Sequence, residues 1–277
     1  MFRIAASGDR QAFCRLWQQV FGDDPAFSGP VFDSFAGPGH VFLSEGEEGR
    51  IEAILSAVPV TLDERKGFYL YGLATDPTCR GKGLMTGLMD WAEKQLAAGG
   101  ARFLCLVPAS ASLFEFYGAR GYQKAFGLRQ FTRPIRANLW AQADFDSVTA
   151  KALLELRRRF CPHSVTLTLN GMVQVLTDLY SGGLTIVSDE AGYGLYFQHR
   201  EELEVIEIFA EGDRAAERLL EAARQKTGAE TARITLGHAQ ILFAGEGTPQ
   251  DYGMIRFLAQ PFEVGESYMR LMMDNEG

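Results

Sequence analysis

The sequence predicts an α/β protein in which a mixed sheet is followed by a second lobe of the same build. Three observations carry that expectation. Residues 68–75, 84–98 and 103–107 read as strand, helix and strand, and the right-handed default of such a crossover makes the two strands parallel. Upstream, residues 40–44 and 51–59 are apolar runs separated by the polar stretch 45–50, the pattern of a hairpin. From residue 184 onward the order of hairpin, long strand, helix and strand returns without close sequence identity.

Each element has a local reason. After a short strand at 2–5, Asp9 can cap a helix in which Phe13, Leu16, Trp17, Val20 and Phe21 recur at helical spacing and Gly22 stops it. A second short helix holds Val31, Phe32 and Phe35 before Gly37-Pro38-Gly39. The helix from residue 84 carries Leu84, Leu88 and Trp91 on one face with Met85, Met89, Ala92 and Leu96 beside it, and Gly99-Gly100 ends it. The run at 103–107 is continuously apolar, as in a strand covered on both faces. Ser110 or Ser112 can cap a further short helix that Gly121 terminates.

Composition narrows the function classes. The chain has 277 residues, 47% hydrophobic and 22% charged, which suits one large or two small globular domains. A net charge of −8 argues against nucleic acid, whose binders carry basic patches, and suits a cationic amine substrate. Cys14, Cys79, Cys105 and Cys161 are scattered and the four histidines are isolated, so reduced thiols and no metal site are expected. No run of eighteen apolar residues and no signal-peptide plan is present, giving the expectation of a cytoplasmic protein that does not contact a membrane. A homo-oligomer is left open.

Chemistry concentrates between the strand at 68–75 and the helix at 84. Arg80-Gly81-Lys82-Gly83 is basic and nearly free of side-chain bulk. Glycines allow positive φ and bring several N–H groups onto one anion, while the helix start adds unpaired donors and the positive end of its dipole. The stretch reads as a pyrophosphate cradle. A Walker loop is absent, and Gly81-x-Gly83 is followed by Thr86 where a dinucleotide fingerprint needs its third glycine.

These residues resemble the acetyl-coenzyme A loop of the GNAT superfamily of N-acetyltransferases, Arg/Gln-x-x-Gly-x-Gly/Ala, with Arg80, Gly83 and Met85 at the three marked positions. Met85 departs from that pattern. A second signature, Asn-x-x-Ala-x-x-Phe-Tyr-x-x-x-Gly-Phe/Tyr, is matched at Phe116, Tyr117, Gly121 and Tyr122, with Ser110 where Asn is usual and Leu113 where Ala is usual. The resemblance implies a catalytic GNAT domain over residues 1–135. The second half, 136–277, resembles a degenerate GNAT-like lobe without a cofactor site, because its equivalent loop, Ala210-Glu211-Gly212-Asp213-Arg214, sets two carboxylates against one cation. There Asp146, Asn170 and Asp213 read as helix starts, and 253–258 as a closing strand. The whole is similar to the tandem, Eis-like acetyltransferases, in a short form with no room for a full sterol-carrier-like third domain.

The resemblance implies that acetyl-CoA is the co-substrate. Main-chain groups of Leu73, Ala74 and Thr75 would pair with the pantetheine arm. Arg80, Gly81, Lys82, Gly83, Leu84, Met85 and Thr86 would hold the pyrophosphate, with Ser110 and Phe116 also on the cofactor. Tyr117 stands at the place of the family's general acid, and its alternative reading is a tyrosine packed on the sheet. The general base is left open. Asp76 reads as a turn former, Glu115 as a solvated helix residue, and the terminal carboxylate after Asp274-Asn275-Glu276-Gly277 lacks an aromatic anchor. Cys105 reads as an inert core thiol. The expected activity is acetyl transfer to a small cationic amine. The alternatives are an acyl-CoA-sensing binding module and acetylation of a protein or peptide amine.

Overall fold

Residues 1–273 are described by the structure, a computed structural model. The terminal carboxylate considered above therefore lies outside the described residues. By contacts the chain forms two units: Met1–Val107 with Tyr117–Gln123 and Ile255–Phe262, and Pro108–Phe116 with Lys124–Met254 and Glu263–Gly277. The mixed α/β class is as expected. The dividing line differs from 135/136, and the reason is a strand pairing described below. No helix among the described residues is long and apolar enough to cross a membrane.

In the first unit the elements are β1 (Phe2–Ile4), α1 (Arg10–Phe21), α2 (Pro25–Pro30), β2 (Val41–Glu45), β3 (Ile51–Leu62), β4 (Arg65–Thr75), α3 (Leu84–Ala98) and β5 (Phe103–Leu106). α1 buries Phe13, Leu16 and Trp17 and stops at Gly22, whose left-handed φ of 86° lets its N–H reach the Gln18 carbonyl. Asp9 precedes α1 without capping it through its side chain; its carboxylate takes Arg3 and the Ala6 N–H instead. Val31, Phe32 and Phe35 are buried on a wide turn that follows α2.

β1, β2, β3 and β4 run antiparallel in that order, and β5 joins β4 in parallel. Asp63 and Glu64, both at positive φ, make the tight turn that continues β3 into β4. The next strand of this unit comes from the far end of the chain, residues 255–257. It is fixed by Leu258 N–H on the Arg102 carbonyl (2.9 Å) and by Phe262, whose ring lies 5.9 Å from Phe103 and 4.5 Å from the Arg65 guanidinium.

α4 (Ala111–Gly118) follows β5, and then come β6 (Gln123–Pro134), β7 (Asp144–Phe145), α5 (Ala150–Phe160), β8 (Thr166–Leu167), α6 (Leu169–Ser181), β9 (Thr185–Asp189), β10 (Gly192–His199), β11 (Glu202–Ala210), α7 (Asp213–Thr227), β12 (Thr231–Gly237) and β13 (Thr248–Phe257). β9, β10 and β11 form an antiparallel meander, and β11 pairs with β12 in parallel across α7. This repeats the crossover of the first unit. β6 pairs with β12 from Leu128↔Gly237 to Pro134↔Thr231, which is why the chain joins the second unit near Lys124 and not at 135.

Three helix starts differ from expectation. Thr149 caps α5, because Asp146, at φ 53°, spends its carboxylate on the Ile186 N–H. Thr168 caps α6 two residues before Asn170. Gly212 precedes α7, and Asp213 lies inside the first turn with its side chain on the Phe243 N–H (2.7 Å). For Asp146 and Asp213 the competing partner is far away in sequence, where local patterning carries no signal. The expected apolar face of α7, Ala216, Leu219, Leu220 and Ala223, is buried in the core with Leu203, Val205, Ile208 and Ile234.

Candidate functional site

The first unit opens its sheet where β4 and β5 part. Their pairing is Gly67↔Phe103, Phe68↔Leu104 and Tyr69↔Cys105, after which β4 runs on to Thr75 while β5 ends at Leu106. Opposite, the β3 register steps from Ile54↔Ala74 to Ser56↔Tyr71, so Gly72 and Leu73 face Leu55 alone. That is a β-bulge, which bends the strand and re-aims its peptide groups. Gly72 makes it feasible. Its φ is 63°, and a Cβ there would lie 2.0 Å from the Trp17 ring. Leu73 and Thr75 on this bulged end are half-exposed and Ala74 is buried.

The chain then turns through Asp76 and Pro77 into the cradle. Asp76 is buried and accepts from the Thr78 N–H and hydroxyl and from Arg50, which together hold its carboxyl near pH 2, below the ordinary range. It is a turn anchor, as its sequence context suggested, and its proton affinity is too low for a base. Arg80, Gly81, Lys82 and Gly83 follow, all exposed, and Arg80 Nε contacts the Thr75 carbonyl at 3.4 Å. Gly81 and Gly83 have φ of 77° and 74°, with no atom within 4 Å of where a Cβ would stand. The glycines are therefore required by backbone conformation and leave the space above them open. Gly83 precedes α3, and no side chain caps that helix. Leu84, Met85 and Thr86, half-exposed, form its first turn. A basic loop, two left-handed glycines and an uncapped helix start provide the donors and field that a diphosphate requires.

Tyr117 lies on the last turn of α4, buried, with its ring 5.8 Å from that of Tyr122. Burial pushes its hydroxyl up to about 12, and the Arg120 cation pulls the other way. The phenol is thus protonated across physiological pH and can donate a proton, not accept one. The residues from 117 to 122 form a turn closed on the Tyr117 carbonyl, which accepts from the Arg120 and Tyr122 N–H groups. Gly121, at φ 81°, completes it. Arg120 Nη2 donates to Thr86 Oγ1 at 2.6 Å, tying this turn to the cradle. Tyr122 donates to Glu93 on α3 (3.2 Å), and Arg256 pairs with the same carboxylate at 2.9 Å. Burial holds the Glu93 carboxyl above its ordinary range, with Arg256 and the Tyr122 hydroxyl pulling partly the other way.

Sequence reasoning missed this group. Glu93 stands on the apolar face of α3 beside Leu88, Met89, Ala92 and Leu96, where periodicity alone expects a hydrophobe. Arg120 was readable as a cation within the second signature, whereas Arg256 is too distant in sequence to be connected. Gly72, inside an apolar strand, was a bulge signal.

The structure brings Leu73, Ala74, Thr75, residues 80–86 and Tyr117 into one unit. Ser110 and Phe116 fall in the other, on Pro108–Phe116, with Ser110 exposed beside the Ser112 hydroxyl (3.0 Å) and Phe116 half-exposed. Glu115 is exposed on the same stretch. Cys105 is fully buried, its thiol pushed far up by burial and directed at the Phe68 carbonyl (3.7 Å), the condition of a core thiol.

The second unit has the equivalent fork between β11 and β12, whose pairing runs from Glu202↔Thr231 to Val205↔Ile234. Here the fork is filled by the chain itself. The Gln240 carboxamide donates to the Ile208 carbonyl (3.0 Å) and accepts from the Gly237 N–H (2.6 Å), and Arg270 donates to the Ile206 carbonyl. Beside the loop at 210–214 is an open cavity of about 430 Å³ lined by Asp189, Glu211, Asp213, Arg214 and Arg218. Glu211 is paired with Arg159 and Asp213 with the Phe243 N–H, so the charge contrast between the two loops is milder than the sequence suggested.

The family model described as an acetyltransferase (GNAT) domain matches residues 1–125. No curated protein matches the chain. Among solved structures, it is similar to a probable N-acyltransferase of unknown function from Enterococcus faecalis V583, at 16% identity and a TM-score of 0.77 over 93% of this chain and 72% of that one. It is also similar to a GCN5-related N-acetyltransferase from Kribbella flavida (16%, TM-score 0.73, 93% and 70%) and to Eis1 from Mycobacterium abscessus (12%, TM-score 0.69, 93% and 74%). At these identities the likeness is one of fold, and it extends over both units.

Proposed function

We propose, on the premise that residues 1–125 form a GNAT acetyltransferase domain, that the chain moves the acetyl group of acetyl-CoA to the primary amine of a small cationic acceptor. One observation carries this reading. A bulged strand end, a glycine-rich basic loop at an uncapped helix start and a protonated tyrosine tied to that helix occur together in one unit. Leu73, Ala74 and Thr75 would pair with the amide-bearing arm of the co-substrate, and residues 80–86 would hold its diphosphate. The acceptor ammonium first gives one proton to solvent, and its free amine attacks the thioester carbonyl. The carbon–sulfur bond breaks, the leaving sulfur takes the Tyr117 proton, and the proton shed by the new amide nitrogen restores the phenol. A net charge of −8 favours a cationic acceptor over an anionic one. The protein is read as a member of the tandem Eis-like branch, with Gln240 and Arg270 occupying the fork of the second unit so that one acetyl-CoA binds per chain.

Turnover with a panel of small amines and of lysine-bearing peptides tests the reading. Small polyamines or aminated sugars are expected to be acetylated faster than peptides. Faster turnover of peptides would move the acceptor to a protein amine, and tight acyl-CoA binding without turnover would make the protein a sensor.

A further inference from the structure

The first unit borrows residues 255–262 from the far end of the chain, and one of them reaches the turn that carries Tyr117. That turn is held to α3 at two points. Arg120 Nη2 bonds Thr86 at the start of the helix, and the Tyr122 hydroxyl bonds Glu93 seven positions on, two helical turns along the same face. The second anchor depends on a carboxylate buried among apolar residues, which is costly without a counter-charge. Arg256 supplies it, with Nη2 2.9 Å from Glu93 Oε2. The other arm of the same guanidinium, Nη1, donates to the Arg120 carbonyl. A planar fork thus spans the helix and the turn, with its carbon 5.9 Å from the centre of the Tyr122 ring.

We infer that Arg256 is a positioning residue for Tyr117: it fixes the turn at 117–122 on α3 through the Arg120 carbonyl and the Glu93 carboxylate. The inference rests on the acetyl-transfer reading for its catalytic consequence and on geometry alone for its structural one. Loss of either arm lets the turn shift, and a displacement of about 1 Å at a reacting group can cost about 100-fold in rate. The basic loop itself, with Arg80, Gly81, Lys82 and Gly83, precedes Thr86, the cradle residue that this turn bonds.

The test uses Arg256→Gln and Arg256→Lys in the full chain, each also in a Tyr117→Phe background. For Arg256→Gln, kcat should fall roughly 10- to 100-fold with the acetyl-CoA KM within about three-fold of wild type, the split expected when only the reacting geometry is lost. Arg256→Lys keeps the charge but not the fork and should recover part of the rate. In the Tyr117→Phe background Arg256→Gln should cost nothing further, since residues acting as a unit are non-additive. Full additivity, a change confined to KM, or an unchanged kcat would each overturn the inference. Amide exchange at Arg120 and Tyr122, whose N–H groups bond the Tyr117 carbonyl, should quicken in Arg256→Gln whether or not turnover is seen; unchanged exchange would overturn it independently. An unaltered protein without any acetyl transfer would count against the proposed function and leave the exchange result to decide the role of Arg256.

Discussion

Gly83→Asp separates folding from binding, because the same side chain acts on them with different sizes. The position has φ 74° and open space where a Cβ would stand, so the cost to the fold is conformational and not steric. A non-glycine residue in that region costs about 1–2 kcal/mol. A carboxylate at the start of α3 returns about 0.3–1 kcal/mol through the helix dipole. The net destabilisation is therefore about 1 kcal/mol, a fall in Tm of about 2–4 °C at this size. For a diphosphate the sign of the charge is wrong. One like charge at about 5 Å and an effective dielectric of 20 costs about 3 kcal/mol, or roughly 100-fold in affinity before salt screening. Gly83→Ala carries the conformational cost without the charge. Calorimetric titration of acetyl-CoA, paired with thermal melts, should show a weak effect for Ala and at least about 30-fold weaker binding for Asp, the screened end of that range. Equal affinity of Gly83→Asp and the unaltered protein would refute the placement of the diphosphate.

Tyr117→Phe should lower turnover about 10²–10⁴-fold with acetyl-CoA affinity unchanged, and wild-type turnover would return Tyr117 to a packing role. Gly72→Ala should lower stability by about 2–4 kcal/mol, from overpacking against Trp17 plus the left-handed φ; an unchanged melting temperature would refute the bulge. The Asp76 carboxyl is held near 2 against an ordinary value of 3.8, so its folded-state pKa is depressed. Its contribution is present above about pH 4 and lost as pH falls through about 2, and Asp76→Asn should flatten the acid-unfolding curve in that window; a parallel curve would contradict this. Titration of the full chain should give one acetyl-CoA per chain, and two sites of similar affinity would show that Gln240 does not close the second fork.

Much of the candidate site's backbone geometry was legible in the sequence because it is local. Glycine at positive φ, cations on a loop and a helix start lie within residues 80–86, and each leaves a mark in the order of residues. The second signature placed Tyr117 on a short helix for the same reason. What escaped reading depends on partners far apart in the chain. Asp146 and Asp213 look like helix caps until Ile186 and Phe243 claim their carboxylates. Glu93 is an anomaly on an apolar face until Arg256 arrives from a strand more than a hundred residues away. The borrowed strand also bears on truncation: a chain cut after Arg136 loses Leu258, Phe262 and Arg256 from the first unit, which should then unfold.

The most direct test of the central claim is to incubate the protein with acetyl-CoA and its best small amine and count free thiol released against N-acetylated amine formed. Equal amounts of the two are expected, with thiol release dependent on the amine and reduced about 10²–10⁴-fold in Tyr117→Phe. Thiol release that is indifferent to the amine, or bound acetyl-CoA that yields no acetylated product across the panel, would contradict it.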